Sequence, residues 1–386
     1  MTVRESWAPT CIEMSSFLET LSSAANSDGP FVECFWNQRF LRRRVTPLRV
    51  DYLESKKEHS MVRRTRPCQA RERTIRERQD PPKWGAAYVP GQLATAQEAP
   101  DESRPSTLYY APLGRAIHCM SIPEKNALLL GLYSGLALEL HEGRMLPPEP
   151  SAGPLAGFKP AEGQVLSGHR GTIQVAERLG VIKFHPTIKI KDSKTGQRRT
   201  IGFPLLGDLL WYLKDDAGFY AVNWSVKQSP EDFDKPHGGS GRRPKPDAEE
   251  AHRARQLVET EMYREVDVPT IPVANTDIPT AVSANLRQLF AWQDRTSNIE
   301  PDARQDIIET LRARIPREVP VFETLRYLLN RHGGAFYDLQ GVLYQAIWRR
   351  EIAVDLWTPF NIDRPIRPET RSVVVHFAQW FRRGAK

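Results

Sequence analysis

The pattern of apolar and polar positions is sharpest between residues 202 and 227. Residues 209–213 are an unbroken apolar run, as in a strand buried on both faces. Lys214-Asp215-Asp216-Ala217-Gly218 carries turn chemistry. Tyr220, Val222, Trp224 and Val226 then alternate with Ala221, Asn223, Ser225 and Lys227, which predicts a second strand with two distinct faces. Upstream, Ser121-Ile122-Pro123-Glu124 leads into the apolar run 127–132. Serine as N-cap, proline in the first turn and glutamate three residues after the serine predict a helix start, with Glu124 as partner in a capping box. A strand is expected at 136–140, a short amphipathic helix at 172–180 ending on Gly180, and a hairpin of 181–191 with 197–206 around 192–196. After a Gly- and Pro-rich loop at 229–246, a helix at 247–264 and a strand at 270–273 complete an α/β core, a mixed sheet flanked by helices.

Residues 278–386 read as mainly helical, with helices near 281–293, 302–314, 321–331 and 339–349. His332-Gly333-Gly334 ends one helix and Phe336-Tyr337-Asp338 restarts the next, like the turn of a helix-turn-helix. Residues 352–356 would then form a wing strand after Arg349-Arg350. The apolar tail 372–381 (SVVVHFAQWF) predicts docking, onto a partner or onto the body. The expected organisation is a basic, partly disordered N-terminal extension and linker (1–106), an α/β domain (107–277) and a helical domain (278–386).

Composition narrows the function classes. With 386 residues, 40% hydrophobic and 26% charged, the chain has room for two or three domains. A net charge of +7 points mildly to a polyanionic partner. Residues 39–78 concentrate that charge, fourteen Arg/Lys against five Asp/Glu, and read either as an arm that scans nucleic-acid phosphates or as a solvated extension. Residues 14–25 could form a short helix, residues 79–106 read as linker, and Met61 is an internal candidate start. Cys11, Cys34, Cys68 and Cys119 form no C-x-x-C pair, so neither a zinc site nor a disulfide framework is expected, and a reducing compartment fits. No run of about 18 apolar residues predicts a membrane span, and the N-terminus lacks the apolar core of a signal peptide.

Asp208 opens one strand of the predicted hairpin, and Lys227 closes the other on its polar face. Metal-dependent phosphodiester hydrolysis needs such a pair, an acid to hold a divalent cation and a lysine to offset charge on the phosphorane. A turn aspartate with a solvated strand-end lysine is the plainer alternative. For Glu124 the alternatives are the helix cap and a metal ligand. His169 and His185 have no partner at ligand spacing. Arg170, Arg349 and Arg350 are equally placed to contact phosphate or to lie in solvent.

Taken in order, Ser121–Glu124 with its helix, the segment 172–186, Gly207-Asp208, Val226-Lys227 and the block 342–365 resemble TnsA. That protein is the endonuclease subunit of heteromeric cut-and-paste transposases, on the PD-(D/E)xK fold. The resemblance covers about 108–370. It implies a restriction-endonuclease-like core followed by a winged-helix domain. It also implies catalytic Glu124, Asp208 and Lys227, with Mg²⁺, as one ion or two, held by Glu124 and Asp208; Mn²⁺ is the expected substitute. The motif places an acid two residues before the lysine. Here that residue is Ser225, a poorer ligand for a hard cation, which leaves ligation through water or through the Val226 carbonyl. The implied reaction cuts the 5′, non-transferred strands at transposon ends, alongside a DDE-type transposase and an AAA+ ATPase, in the bacterial cytoplasm at the nucleoid. The alternatives are a weakly active or inactive DNA-binding assembly subunit, and another restriction-type nuclease such as a junction resolvase or repair enzyme.

Overall fold

The computed structural model describes residues 66–100, 103–164, 167–191, 196–235 and 247–384. The expected helix at 14–25, the basic run through Arg64 and the turn at 192–195 lie outside them. Arg63–Lys386 is one compact unit.

Strands β1 (Ser106–Tyr110) and β2 (Arg115–Cys119) pair with each other, as do β4 (Met145–Leu146) and β7 (Leu205–Leu206), but the centre of the unit is a four-stranded mixed sheet. The predicted hairpin is β8 (Leu209–Asp215) and β9 (Gly218–Lys227), antiparallel, with Asp215 opposite Gly218 and Leu209 opposite Trp224. A third strand, β3 (Glu139–Glu142), pairs antiparallel with β8, and β10 (Thr270–Ala274) pairs parallel with β9, giving the order β10-β9-β8-β3. Strand β3 starts later than predicted. The strands β5 (Thr187–Lys191) and β6 (Arg198–Gly202) form their own two-stranded sheet. The upstream half of that hairpin is shortened because Ile182–Phe184 forms a 3₁₀ turn ahead of Pro186, which has no N–H for a ladder.

Strand β8 is apolar from Leu209 to Leu213 because both of its faces are covered there. Leu209, Trp211 and Leu213 enter one core cluster and Leu210 and Tyr212 another. On the first side lies helix α2 (Ile122–Ser134), backed by the helices after residue 278. Gly131 permits this seat, since a Cβ there would come within 2.2 Å of the Trp211 ring. On the second side lies α4 (Ala248–Arg264), packed through Val258, Met262 and Tyr263. The short helix α3 (Thr172–Arg178) is followed, as expected, by Gly180 with positive φ.

The helical region contains α5 (Thr280–Phe290), α6 (Pro301–Arg314), α7 (Val321–His332) and α8 (Phe336–Trp348), close to the predicted spans. The expected wing strand is not formed. Val354 makes only an isolated bridge to Pro368, while Ile352, Val354 and Leu356 are buried in the main core. That core runs from Leu108 to Phe381 without a break near residue 277.

Of the stretch 79–106, expected as linker, residues 79–100 are instead bound to the body. Helix α1 (Gln69–Gln79) ends in Gln79, whose amide donates to Tyr88 Oη and Gly143 O and whose carbonyl accepts Met145 N–H at 2.7 Å. Gly91 N–H adds a bond to Gly143 O, and Arg78 pairs with Glu98 at 2.7 Å.

The tail docks onto the body. Val373, Phe377, Trp380 and Phe381 are buried. Trp224 Nε1 donates to Trp380 O and Tyr220 Oη to Phe381 O, each at 2.8 Å. Arg383 closes on Asp215 and Gly218 O at the hairpin turn.

Candidate active site

Glu124 sits in the first turn of α2. Its N–H donates to Ser121 Oγ at 3.2 Å, Ser121 Oγ donates to Glu124 Oε1 at 3.0 Å, and Met120 N–H donates to Oε2 at 2.8 Å. The glutamate therefore does cap the helix. Its carboxylate also borders a cavity of about 360 Å³, which shares its wall with Asp208, His118, Arg71 and Arg255. Burial, and then the charge of Asp208, push its pKa up to about 7 against two hydrogen bonds that pull it down. The two carboxylates repel each other in one recess, a repulsion that a bound cation would relieve.

Asp208 lies immediately before β8. One of its oxygens, Oδ2, accepts Val226 N–H at 2.7 Å, tying it to the neighbouring strand. Lys227 Nζ stands 3.6 Å from the same oxygen and donates to Val226 O at 3.1 Å. The structure thus brings Glu124, Asp208 and Lys227 together, with Lys227 behind Asp208 rather than on the cavity wall. Val226 offers its carbonyl only in competition with Lys227. Ser225 is 6% exposed, and its Oγ has no hydrogen-bond partner among the described residues.

The face of β9 carrying Asn223, Ser225 and Lys227 was expected to be polar and proves to be buried as well. Helix α4 covers it and adds two residues that the sequence reading passed over. Glu259, 2% exposed, accepts Asn223 Nδ2 at 3.0 Å, and its other oxygen lies 3.8 Å from Arg255 Nη1. Arg255 donates to Leu206 O at 2.5 Å and reaches the cavity wall. A signal was present, because Arg255 and Glu259 lie one position after Ala254 and Val258, against the inward stripe of the helix.

The remaining candidates lie elsewhere. His169 packs against Met262 O at 3.4 Å, and burial lowers its pKa to about 4. His185 is fixed between Thr172 Oγ1 at 2.7 Å and Pro186 O at 3.0 Å, and burial lowers its pKa too. Both are structural. Arg170 is exposed and 3.7 Å from Glu265. Arg349 and Arg350 follow α8 at the surface; Arg350 has a positive φ of 59° and lays its guanidinium by Gly135.

Among the described residues no group of three or more His, Cys, Asp or Glu side chains could hold a metal ion. Mg²⁺ does not require one. It keeps several waters and uses one or two carboxylates together with substrate phosphates. Glu124 and the Asp208 oxygen that does not bond Val226 are donors of that kind, whereas Ser225 is buried and lies off the cavity wall. No protein-family model and no curated protein matches the chain. Among the described residues no helix is long and apolar enough to cross a membrane.

Proposed function

We propose that this chain is a metal-dependent DNA endonuclease of the TnsA type, with a restriction-endonuclease-like core. The supporting observation is the meeting of three distant segments. The first turn of α2, the start of β8 and the end of β9 deliver Glu124, Asp208 and Lys227 to one place. The substrate is transposon-end DNA, cut on the 5′, non-transferred strand. A DDE-type transposase acts on the other strand, and an AAA+ ATPase regulates the pair at the bacterial nucleoid. The helices after residue 278 are the surface for DNA or for the ATPase.

A bound Mg²⁺ would polarise the phosphate and make its water a nucleophile near neutral pH. Glu124 and Asp208 would hold it, and the Glu124 carboxylate, kept ionised beside the cation, could take a proton from the attacking water. Lys227 would offset the charge that builds on the phosphorus oxygens. Arg71 and Arg255 line the approach and suit the flanking phosphates. Ser225 at the acid position favours one rival, a DNA-binding assembly subunit that does not cut.

Nicking of a labelled transposon-end duplex in Mn²⁺ separates the two. Wild type is expected to nick, and Lys227→Ala to bind the same DNA with nicking reduced about a hundredfold or more. Equal nicking by both proteins would remove Lys227 from the chemistry. No nicking by wild type in the presence of its transposase would favour the assembly role.

A further inference from the structure

Lys227 stands behind Asp208, off the wall of the cavity that Glu124 and Asp208 share. The two cations on that wall already have partners: Arg71 donates to Gln92 Oε1 at 2.9 Å and Arg255 to Leu206 O. His118 is on the wall as well. It belongs to β2, where Arg115, Ile117 and Cys119 are buried and the alternate positions, Ala116 and His118, are partly open. Two residues further on, Met120 N–H binds the Glu124 carboxylate. One short stretch of backbone thus carries His118 and holds Glu124.

The proton of this imidazole can be placed. Nδ1 lies 3.1 Å from the backbone nitrogen of Ala94, and a backbone N–H only donates, so Nδ1 is the acceptor. The neutral ring then carries its hydrogen on Nε2. That Nε2–H has no partner among the described residues and is not sealed in the interior, so it opens on the cavity. The ring is held from both sides. Behind Ala94, Glu98 accepts Leu93 N–H at 2.9 Å and pairs with Arg78. On the other strand, Glu142, paired with Arg115 at 2.8 Å, accepts His118 N–H at 3.1 Å. Burial first, and then the charge of Arg115, lower the pKa of the ring, with Glu98 opposing and Arg78 adding. A proton on Nδ1 would also face the Ala94 N–H, donor against donor. The ring stays neutral near pH 7 and offers the cavity one donor.

We propose that His118 is a further catalytic residue of this site, a neutral donor whose Nε2–H bonds a non-bridging oxygen of the scissile phosphate as charge builds there. The inference rests on the nuclease reading. As water attacks, the new P–O bond forms and the P–O bond to the leaving sugar oxygen breaks. That oxygen takes its proton from water, and His118 keeps its own throughout. A part of the molecule that looks like linker acquires a purpose: Ala94 fixes the tautomer that the reaction uses.

The test is single-turnover nicking of the labelled transposon-end duplex by the full chain with its transposase, in Mn²⁺ and at saturating DNA. DNA affinity and thermal melting are measured alongside. Four proteins are compared: wild type, His118→Ala, His118→Gln and Asp208→Ala. His118→Ala is expected to bind the duplex within roughly threefold of wild type and to nick about a hundredfold more slowly. Glutamine keeps an N–H donor at similar reach, so His118→Gln should recover to within roughly tenfold of wild type. A merely structural histidine would show its loss in melting or affinity and would gain nothing from the amide. Wild-type nicking by His118→Ala with loss in Asp208→Ala overturns the role of His118 and leaves the nuclease reading standing. Equal loss in His118→Ala and His118→Gln overturns the donor role too. No nicking by wild type on DNA that it binds overturns both readings.

Discussion

Glu124→Gln is expected to melt above wild type at pH 8 in metal-free buffer, and to cut DNA far more slowly. Folded Glu124 holds its proton to about pH 7, against 4.5 for the ordinary side chain. Between those values the folded state binds more protons than the unfolded one. Stability therefore falls as pH rises through that window and stays low above it. Glutamine cannot ionise and escapes this loss. A pKa unit is worth about 1.4 kcal/mol, so the shift bounds the gain at on the order of 3 kcal/mol. Weaker hydrogen bonds from Met120 and Ser121 offset part of it, leaving about 1–2 kcal/mol, or roughly 2–3 °C. Melting curves from pH 4.5 to 8 check the sign: the variant should melt below wild type near pH 4.5, cross it as pH rises, and lie above it by pH 8. Cleavage should fall by roughly a hundredfold or more, because a neutral amide neither holds a cation well nor accepts a proton. A variant less stable than wild type at pH 8 would mean that capping outweighs the repulsion from Asp208.

Trp380→Ala is expected to be the most damaging single change far from the site. Its ring packs edge-on against Trp224 at 5.6 Å and at a tilt against Phe377 at 4.6 Å, in the core cluster that holds Trp224 and Val222. Removing a buried tryptophan costs about 3–5 kcal/mol, or roughly 4–7 °C for a unit of this size. The backbone bond from Trp224 Nε1 to Trp380 O survives the substitution, so the loss measures packing rather than the hydrogen bond. Melting of wild type and variant decides it. An unchanged midpoint would mean that the tail does not hold the hairpin in solution.

How much was readable in advance follows from the range of the interactions. The hairpin was legible because its side chains alternate with period two and its turn residues mark the reversal. The start of α2 was legible because capping is local, within Ser121 to Glu124. That same locality hid the second role of Glu124, which depends on Asp208, 84 positions along the chain. Glu259 was invisible for a related reason: nothing near it in sequence says that α4 will lie over Asn223. Residues 352–356 alternate like a strand, yet their apolar side chains are drawn into the core and no neighbouring strand supplies a ladder. Residues 79–106 look like linker by composition, which does not register single polar anchors such as Gln79 and Glu98. The docked tail was foreseen as apolar and sticky; its seat under the hairpin was not.

The most direct measurement is strand-mapped cleavage of transposon-end DNA in Mg²⁺ with the partner transposase and ATPase, comparing wild type with Asp208→Ala. Asp208 is the residue on which Val226, Lys227 and the charge of Glu124 converge. Wild type should give both cuts, and Asp208→Ala only the 3′ cut made by the transposase. Identical products from the two proteins, with assembly still dependent on this chain, would contradict the account and make it a DNA-binding scaffold.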